Sequence, residues 1–227
     1  RAKGYPKKPW KNEILLVNPS SHHSQRKVLK ANANRYLYDS LSAEFDQVAD
    51  LIDQNGDLKI PKATQTSLLE HLARTVVGQQ LAGKAAESIW RRLKVVASEN
   101  DLSISRLFKH EHQALMRSCG LSRSKVATIC GVRDAIDGEL LVESELVDLS
   151  YEKLAARLMQ QWGIGPWTAA MTALFYFRHE DVWTDTDVSL QKAINHYSGN
   201  DEVSKKRILE LSSPYKSYLS LHMWARY

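Results

Sequence analysis

From Leu37 onward the apolar residues of this chain return every three or four positions, and they almost never settle into the alternation that a half-buried strand requires. That regularity restricts the fold to an all-α one. Leu37, Leu41, Phe45, Val48 and Ile52 share one helical face, and Asn55-Gly56 ends the run as a left-handed cap would. Leu68, Leu72 and Val76 mark a second helix, opened by Thr64 to Ser67 and interrupted at Gly78-Gln79-Gln80. Ala85, Ile89, Leu93 and Val96 carry the period through 82–97. Further helical runs are predicted over 103–118, 123–137, 151–162, 166–178, 187–197, 202–212 and 214–226. Leu140-Leu141-Val142 reads as a lone extended piece, which would lack a partner strand. With no internal repeat and no low-complexity linker, two lobes of one domain fit better than two independent domains.

A chain of 227 residues, 43% of them hydrophobic, can bury one large core or two modest lobes. Its apolar stretches fall short of the roughly 18 residues that a membrane span needs. The expectation is therefore a soluble, intracellular protein with no membrane partner, in the cytoplasm or nucleoid, or in the nucleus of a eukaryote. Cys119 and Cys130 are too few for a disulfide framework or a thiolate-held zinc or iron–sulfur site, and are expected as reduced thiols. The net charge of +5 is unevenly placed: residues 1–30 hold eight Lys or Arg against one acidic residue, which leaves −2 for the other 197. This basic arm is either a salt-sensitive attractor of phosphates or a solvated terminus. The body over 31–227 is not basic, so it must hold any nucleic acid by local backbone geometry.

The motif that carries most information is Gly163-Ile164-Gly165-Pro166, set between two helical runs. A Gly-x-Gly turn lets bare backbone approach a phosphate because no Cβ obstructs it, and the following helix offers unpaired N–H groups. Alone it is equally a structural turn. Around it stand Leu72-Ala73-Arg74-Thr75-Val76-Val77-Gly78-Gln79-Gln80, then Gly120-Leu121-Ser122-x-x-Lys125, then Trp162 to Ala169, then Asp181 to Asp187, and last Ser217-Tyr218 to His222-Met223-Trp224. Together these strings resemble the helix-hairpin-helix superfamily of DNA glycosylases, and within it the 3-methyladenine DNA glycosylase II, or alkylation-repair, branch. The resemblance covers roughly residues 65–227; residues 1 to about 60 match nothing in that family, and the N-terminal sheet domain of some relatives has no counterpart.

The resemblance implies two helical lobes around a cleft. It assigns a DNA phosphate to backbone N–H groups of Gly163, Gly165 and Trp167 to Thr168. It assigns a monovalent cation, Na+ or K+, to the carbonyls of Met159, Gln161 and Gly163, with no other cofactor required. Asp187, twenty-two residues after Gly165, takes the catalytic position: breaking an N-glycosidic bond develops positive charge on the sugar, which a fixed carboxylate stabilises while orienting the attacking water. Asp185 competes, because Asp185-Thr186-Asp187-Val188 can be slid two residues onto an Asp-Thr-His-Val pattern of other branches. Either aspartate also suits a helix N-cap.

Trp167 stands where strand-cutting relatives carry, there or just outside the hairpin, a lysine nucleophile, so a monofunctional enzyme is expected. Trp167 and Trp224 correspond to aromatic walls that would favour a cationic methylated purine, with Met171 and Val188 at pocket positions where larger aromatics occur. Gln80 and Leu81 occupy the wedge that fills the gap left by a flipped base. Lys84, Arg91, Arg123 and Lys125 flank these loops as candidates for phosphate contact, whereas His22-His23 and His222 lack metal-ligand spacing. The expectation is a monomeric enzyme that releases alkylated purines from double-stranded DNA by hydrolysis in base excision repair. A non-catalytic helix-hairpin-helix DNA-binding module and a glycosylase for oxidised or deaminated bases are the alternatives.

Overall fold

The computed structural model describes residues 32–62 and 67–226, so the basic arm over 1–30, His22-His23 and the expected Thr64 helix opening lie outside the described residues. Among the described residues every regular element is helical: α1 (Ala33–Leu41), α2 (Asp46–Asn55), α3 (Leu68–Gly78), α4 (Gly83–Glu99), α5 (Ile104–Leu107), α6 (Gln113–Ser118), α7 (Arg123–Asp137), α8 (Glu143–Leu146), α9 (Tyr151–Met159), α10 (Pro166–Phe175), α11 (Val188–Tyr197), α12 (Glu202–Ser212) and α13 (Lys216–Arg226). The fold is all-α, as the spacing predicts. It divides into two compact units, one over 62–178 and one that joins the described part of 11–61 to 179–227. No helix among the described residues is long and apolar enough to cross a membrane.

The 62–178 unit is organised around α3. Ser67 caps it by accepting from the Glu70 N–H at 3.3 Å, and its buried Leu68, Leu69, Leu72, Ala73, Val76 and Val77 reach across to α7, α10 and α4. Helix α10 is apolar nearly all round, with Thr168 to Leu174 buried without interruption, and it packs on α9 and α3. Pro166 at its first position sets the backbone for helix without sacrificing a bond that the end would have left unmade.

The other unit is organised around α13, which packs on α11, α2, α1 and α12 and buries Leu219, Leu221, Met223 and Trp224. A polar knot ties three of these helices. The buried His222 donates from Nε2 to Asn34 Oδ1 at 2.8 Å and receives the Asn55 amide at Nδ1 at 3.4 Å. An imidazole with one donor and one acceptor is neutral, and burial pulls the His222 pKa down to about 4.

Three expectations change. The run from Leu37 to Ile52 is two helices, broken over 42–45, because the 4- and 3-residue spacings of Leu41, Phe45 and Val48 persist across the turn while Phe45 leaves helical geometry at φ −137° and ψ 65°. The stretch 103–118 breaks into α5, a 3-10 turn at His110–His112, and α6. Leu140 and Leu141 are not extended: their N–H groups fold back onto the Ala135 carbonyl at 2.7 and 3.1 Å and close the end of α7, after which Val142 enters α8.

Candidate functional site

In the 62–178 unit the turn between α9 and α10 uses its two glycines differently. Gly163 has φ +81°, and a Cβ there would lie 2.0 Å from Thr128 Oγ1 on α7, so both the backbone sign and the packing demand glycine. Gly165 has φ −101° and ψ −179°, and a Cβ there would meet nothing within 4 Å. Among the described residues, nothing requires its bareness. Helix α10 starts on Gly165 with no side-chain cap, so the positive end of the helix is directed at whatever lies before it. Thr168 is 1% exposed with its hydroxyl engaged inside the protein, which restricts any role of that residue in binding to its backbone. Ile164 is buried and anchors the turn, its N–H donating to the Gln161 carbonyl at 3.1 Å.

Gln80 and Leu81 occupy the tip of the turn that follows α3. Gln80 has φ +55°, both side chains are exposed, and the Leu81 N–H closes the turn on the Gly78 carbonyl at 3.2 Å. That posture suits a wedge, since side chains at a tight exposed tip can enter a duplex without unfolding anything. Trp167 is half-buried, and Met171 is buried within α10.

One residue of this unit escaped the sequence reading and another takes a different role from the one expected. Gln79 donates from Nε2 to the Gly163 carbonyl at 3.1 Å and to Thr168 Oγ1 at 3.0 Å. Lys125, expected beside a phosphate, instead donates from Nζ to the carbonyls of Val77 and Gln79 at 2.9 and 2.8 Å. It closes the C-terminal end of α3, and its burial lowers its pKa. The available signal was that the last turn of α3 carries no basic residue of its own, so those carbonyls need a donor from elsewhere in the chain.

In the other unit Asp187 is 2% exposed and caps α11. Its Oδ1 accepts from the N–H groups of Ser189 and Leu190 at 2.9 and 3.0 Å and from the Trp224 indole at 3.2 Å. The structure sets Trp224, which the resemblance gives as a pocket wall, against this carboxylate: the ring is 1% exposed and its indole edge orients Asp187. The rival Asp185 is otherwise occupied. Its Oδ1 accepts from the Trp183 indole at 3.1 Å and the Gln191 amide at 2.8 Å, with Lys205 Nζ at 3.5 Å. Burial works to raise its pKa, but these partners hold it below the usual carboxylate range. Val188 is 66% exposed at the start of α11, too open for the enclosed pocket wall expected of it.

The carbonyls expected around a monovalent cation are partly used: that of Gln161 accepts from Ile164 and that of Gly163 from Gln79. A carbonyl oxygen has two lone pairs, so one remains on each.

No family model matches the chain. It is 28% identical over 160 residues to DNA-3-methyladenine glycosylase 1 of Schizosaccharomyces pombe, covering 68% of this chain and 70% of that protein. Among solved structures it resembles the S. pombe 3-methyladenine DNA glycosylase in complex with abasic DNA, with TM-score 0.69 and 25% identity over 83% of this chain and 94% of that one. The DNA-3-methyladenine glycosidase of Bacillus halodurans gives TM-score 0.67 at 24% identity, over 83% and 87%. With the glycine turn, the exposed tip after α3 and the capped aspartate in place, the chain's relatives and structural neighbours are 3-methyladenine DNA glycosylases, which supports the alkylation-repair branch of the helix-hairpin-helix superfamily.

Proposed function

We propose that this protein, as a monomer, flips alkylated purines of the 3-methyladenine type out of double-stranded DNA and hydrolyses the N-glycosidic bond. The observation that carries the reading is Asp187, a buried carboxylate whose position is fixed by three N–H donors. The C1′–N bond breaks and its electron pair leaves with the base. The sugar is left with positive charge that the carboxylate stabilises. Water adds to C1′ and gives up a proton, so the products are a free base and an abasic site. A 3-alkylated purine is cationic and leaves as a neutral molecule, which is why one oriented carboxylate suffices. The S. pombe relative solved in complex with abasic DNA supports this reading. With no lysine between Trp162 and Thr168, the strand stays uncut.

The phosphate is held by the α10 end and the bare Gly165 backbone. The remaining lone pairs on the Gln161 and Gly163 carbonyls, with that of Met159, fit a weakly held Na+ or K+, whose charge would favour a phosphate nearby.

The test is release of free 3-methyladenine from methylated DNA. Asp187→Asn keeps the cap oxygen and removes the charge, so the rate is expected to fall by about 100-fold or more while the fold persists. An inactive wild type, or an Asn variant as fast as wild type, ends the reading. Faster release of oxidised or deaminated bases would reassign the substrate.

A further inference from the structure

The Gly120-Leu121-Ser122-x-x-Lys125 string has no place in the chemistry above, and its lysine does not face solvent as a phosphate contact would. Lys125 fastens the α3 end from α7, and Gln79, whose carbonyl it holds, reaches with its side chain to the hairpin. One helical turn on from Lys125, Thr128 sits against Gly163, leaving no room for a Cβ. The same face of α7 thus supports the wedge turn at one position and the hairpin at the next, and Gln79 joins the two directly.

We propose that Lys125 and Gln79 are positioning residues that lock the wedge turn, carrying Gln80 and Leu81, to the phosphate-holding hairpin over 163–168. The proposal rests on the glycosylase reading. Expelling a base requires a wedge to push while the strand is held. If the two parts could slip relative to each other, the push would move the wedge rather than the base. The orientation of the Gln79 amide follows from its partners: the Gly163 carbonyl can only accept, so Nε2 must face it. Each Lys125 bond pairs a charged donor with a carbonyl at the end of a helix, among the stronger kinds of hydrogen bond.

The experiment compares Lys125→Met, Lys125→Arg and Gln79→Ala with wild type on two substrates, a paired alkylated base and the same base opposite an abasic gap, where no partner strand base resists extrusion. Single-turnover release from the paired substrate is expected to fall on the order of tenfold to a hundredfold in Lys125→Met and Gln79→Ala. Release from the gapped substrate is expected to stay within a few-fold of wild type, and Lys125→Arg to recover part of the loss. Fluorescence of 2-aminopurine placed at the target, read at saturating protein, is expected to lose its flipping signal in the same two variants. Equal losses on both substrates would overturn the proposal, because a general structural defect or a direct catalytic role does not distinguish them. Unchanged rates on both would overturn it as well. A wild type that releases no base from either substrate sinks the glycosylase reading instead, and a 2-aminopurine signal retained by the variants then sinks the positioning role independently.

Discussion

Replacing each hairpin glycine by alanine separates what the fold demands from what DNA demands. In Gly163→Ala the new methyl lies 2.0 Å from Thr128 Oγ1, 2.8 Å from its Cγ2 and 2.9 Å from its Cβ. Non-bonded carbon contacts settle near 3.5 to 4.0 Å, so the chain must retreat by about 1 Å or more. Overpacking of this kind costs about 1 to 3 kcal/mol, and a non-glycine residue at φ +81° adds about 1 to 2 kcal/mol, for a total of about 2 to 5 kcal/mol. Gly165→Ala faces neither penalty, since its φ is −101° and the space ahead of it is open. Restricting the unfolded chain stabilises this variant by about 0.4 to 1 kcal/mol. The two melting temperatures should therefore move in opposite directions. On the DNA side the order reverses, because a methyl at 165 stands between the α10 end and an approaching phosphate. Losing one charge-assisted hydrogen bond lowers affinity by about tenfold to a hundredfold. Urea unfolding and fluorescence anisotropy with an abasic-analogue duplex, at one fixed salt concentration, measure both quantities. Adding Thr128→Ala to Gly163→Ala removes the two closest side-chain partners and should recover part of the stability. A Gly165→Ala protein that binds DNA like wild type would refute the phosphate assignment, and a Gly163→Ala protein of wild-type stability would refute the packing argument.

Asp187→Ala should be less stable than Asp187→Asn by about 2 to 4 kcal/mol, because alanine removes the α11 cap and leaves the buried Trp224 indole N–H unpaired whereas asparagine caps as well as aspartate; equal urea midpoints would contradict this. His71 and His222 are both buried with pKa values lowered to about 4, by desolvation first and, for His71, by Arg74 as well. Unfolded histidine takes up its proton near pH 6.5, so the unfolded chain binds more protons as pH falls from there to about 4. Stability is thus complete above pH 6.5 and declines on acidification, levelling below pH 4, by roughly 3 kcal/mol for each histidine. Urea midpoints at pH 7.5 and 4.5 test this, and His222→Gln should flatten part of the slope; a midpoint independent of pH would refute it.

The helical architecture was legible because its signal is local: each helix must present an apolar stripe, and the stripe repeats within one segment. The failures are local too. The turn at 42–45 and the interruptions within 103–118 contain no glycine or proline, and apolar residues on either side keep the helical interval by coincidence. At the site, the glycine turn and Asp187 could be named, but their separate duties could not. That Gly163 answers to Thr128 and Gly165 to nothing among the described residues is a relation across 35 and more residues, invisible until α7 is in place. Gln79 went unassigned and Lys125 was given to a phosphate for the same reason, since an amide or ammonium aimed at a distant main-chain carbonyl has no sequence pattern of its own. Asp187 was preferred to Asp185 on its spacing from Gly165, and the different partners of the two carboxylates became visible only in the fold.

The two units differ in how the ribosome delivers them. The one over 62–178 is a single unbroken stretch, so its helices can meet as soon as that stretch has emerged. The one around α13 has α1 and α2 synthesised before α12 and α13, which leaves the faces of Leu37, Leu41, Val48 and Ile52 that meet those helices uncovered until they emerge. A nascent chain therefore completes the unit with the glycine turn before the unit that carries Asp187. A message cut short ahead of α13 would encode Asp187 without the Trp224 indole that donates to it, and a sticky, unfinished α1–α2 pair for chaperones or proteases to find.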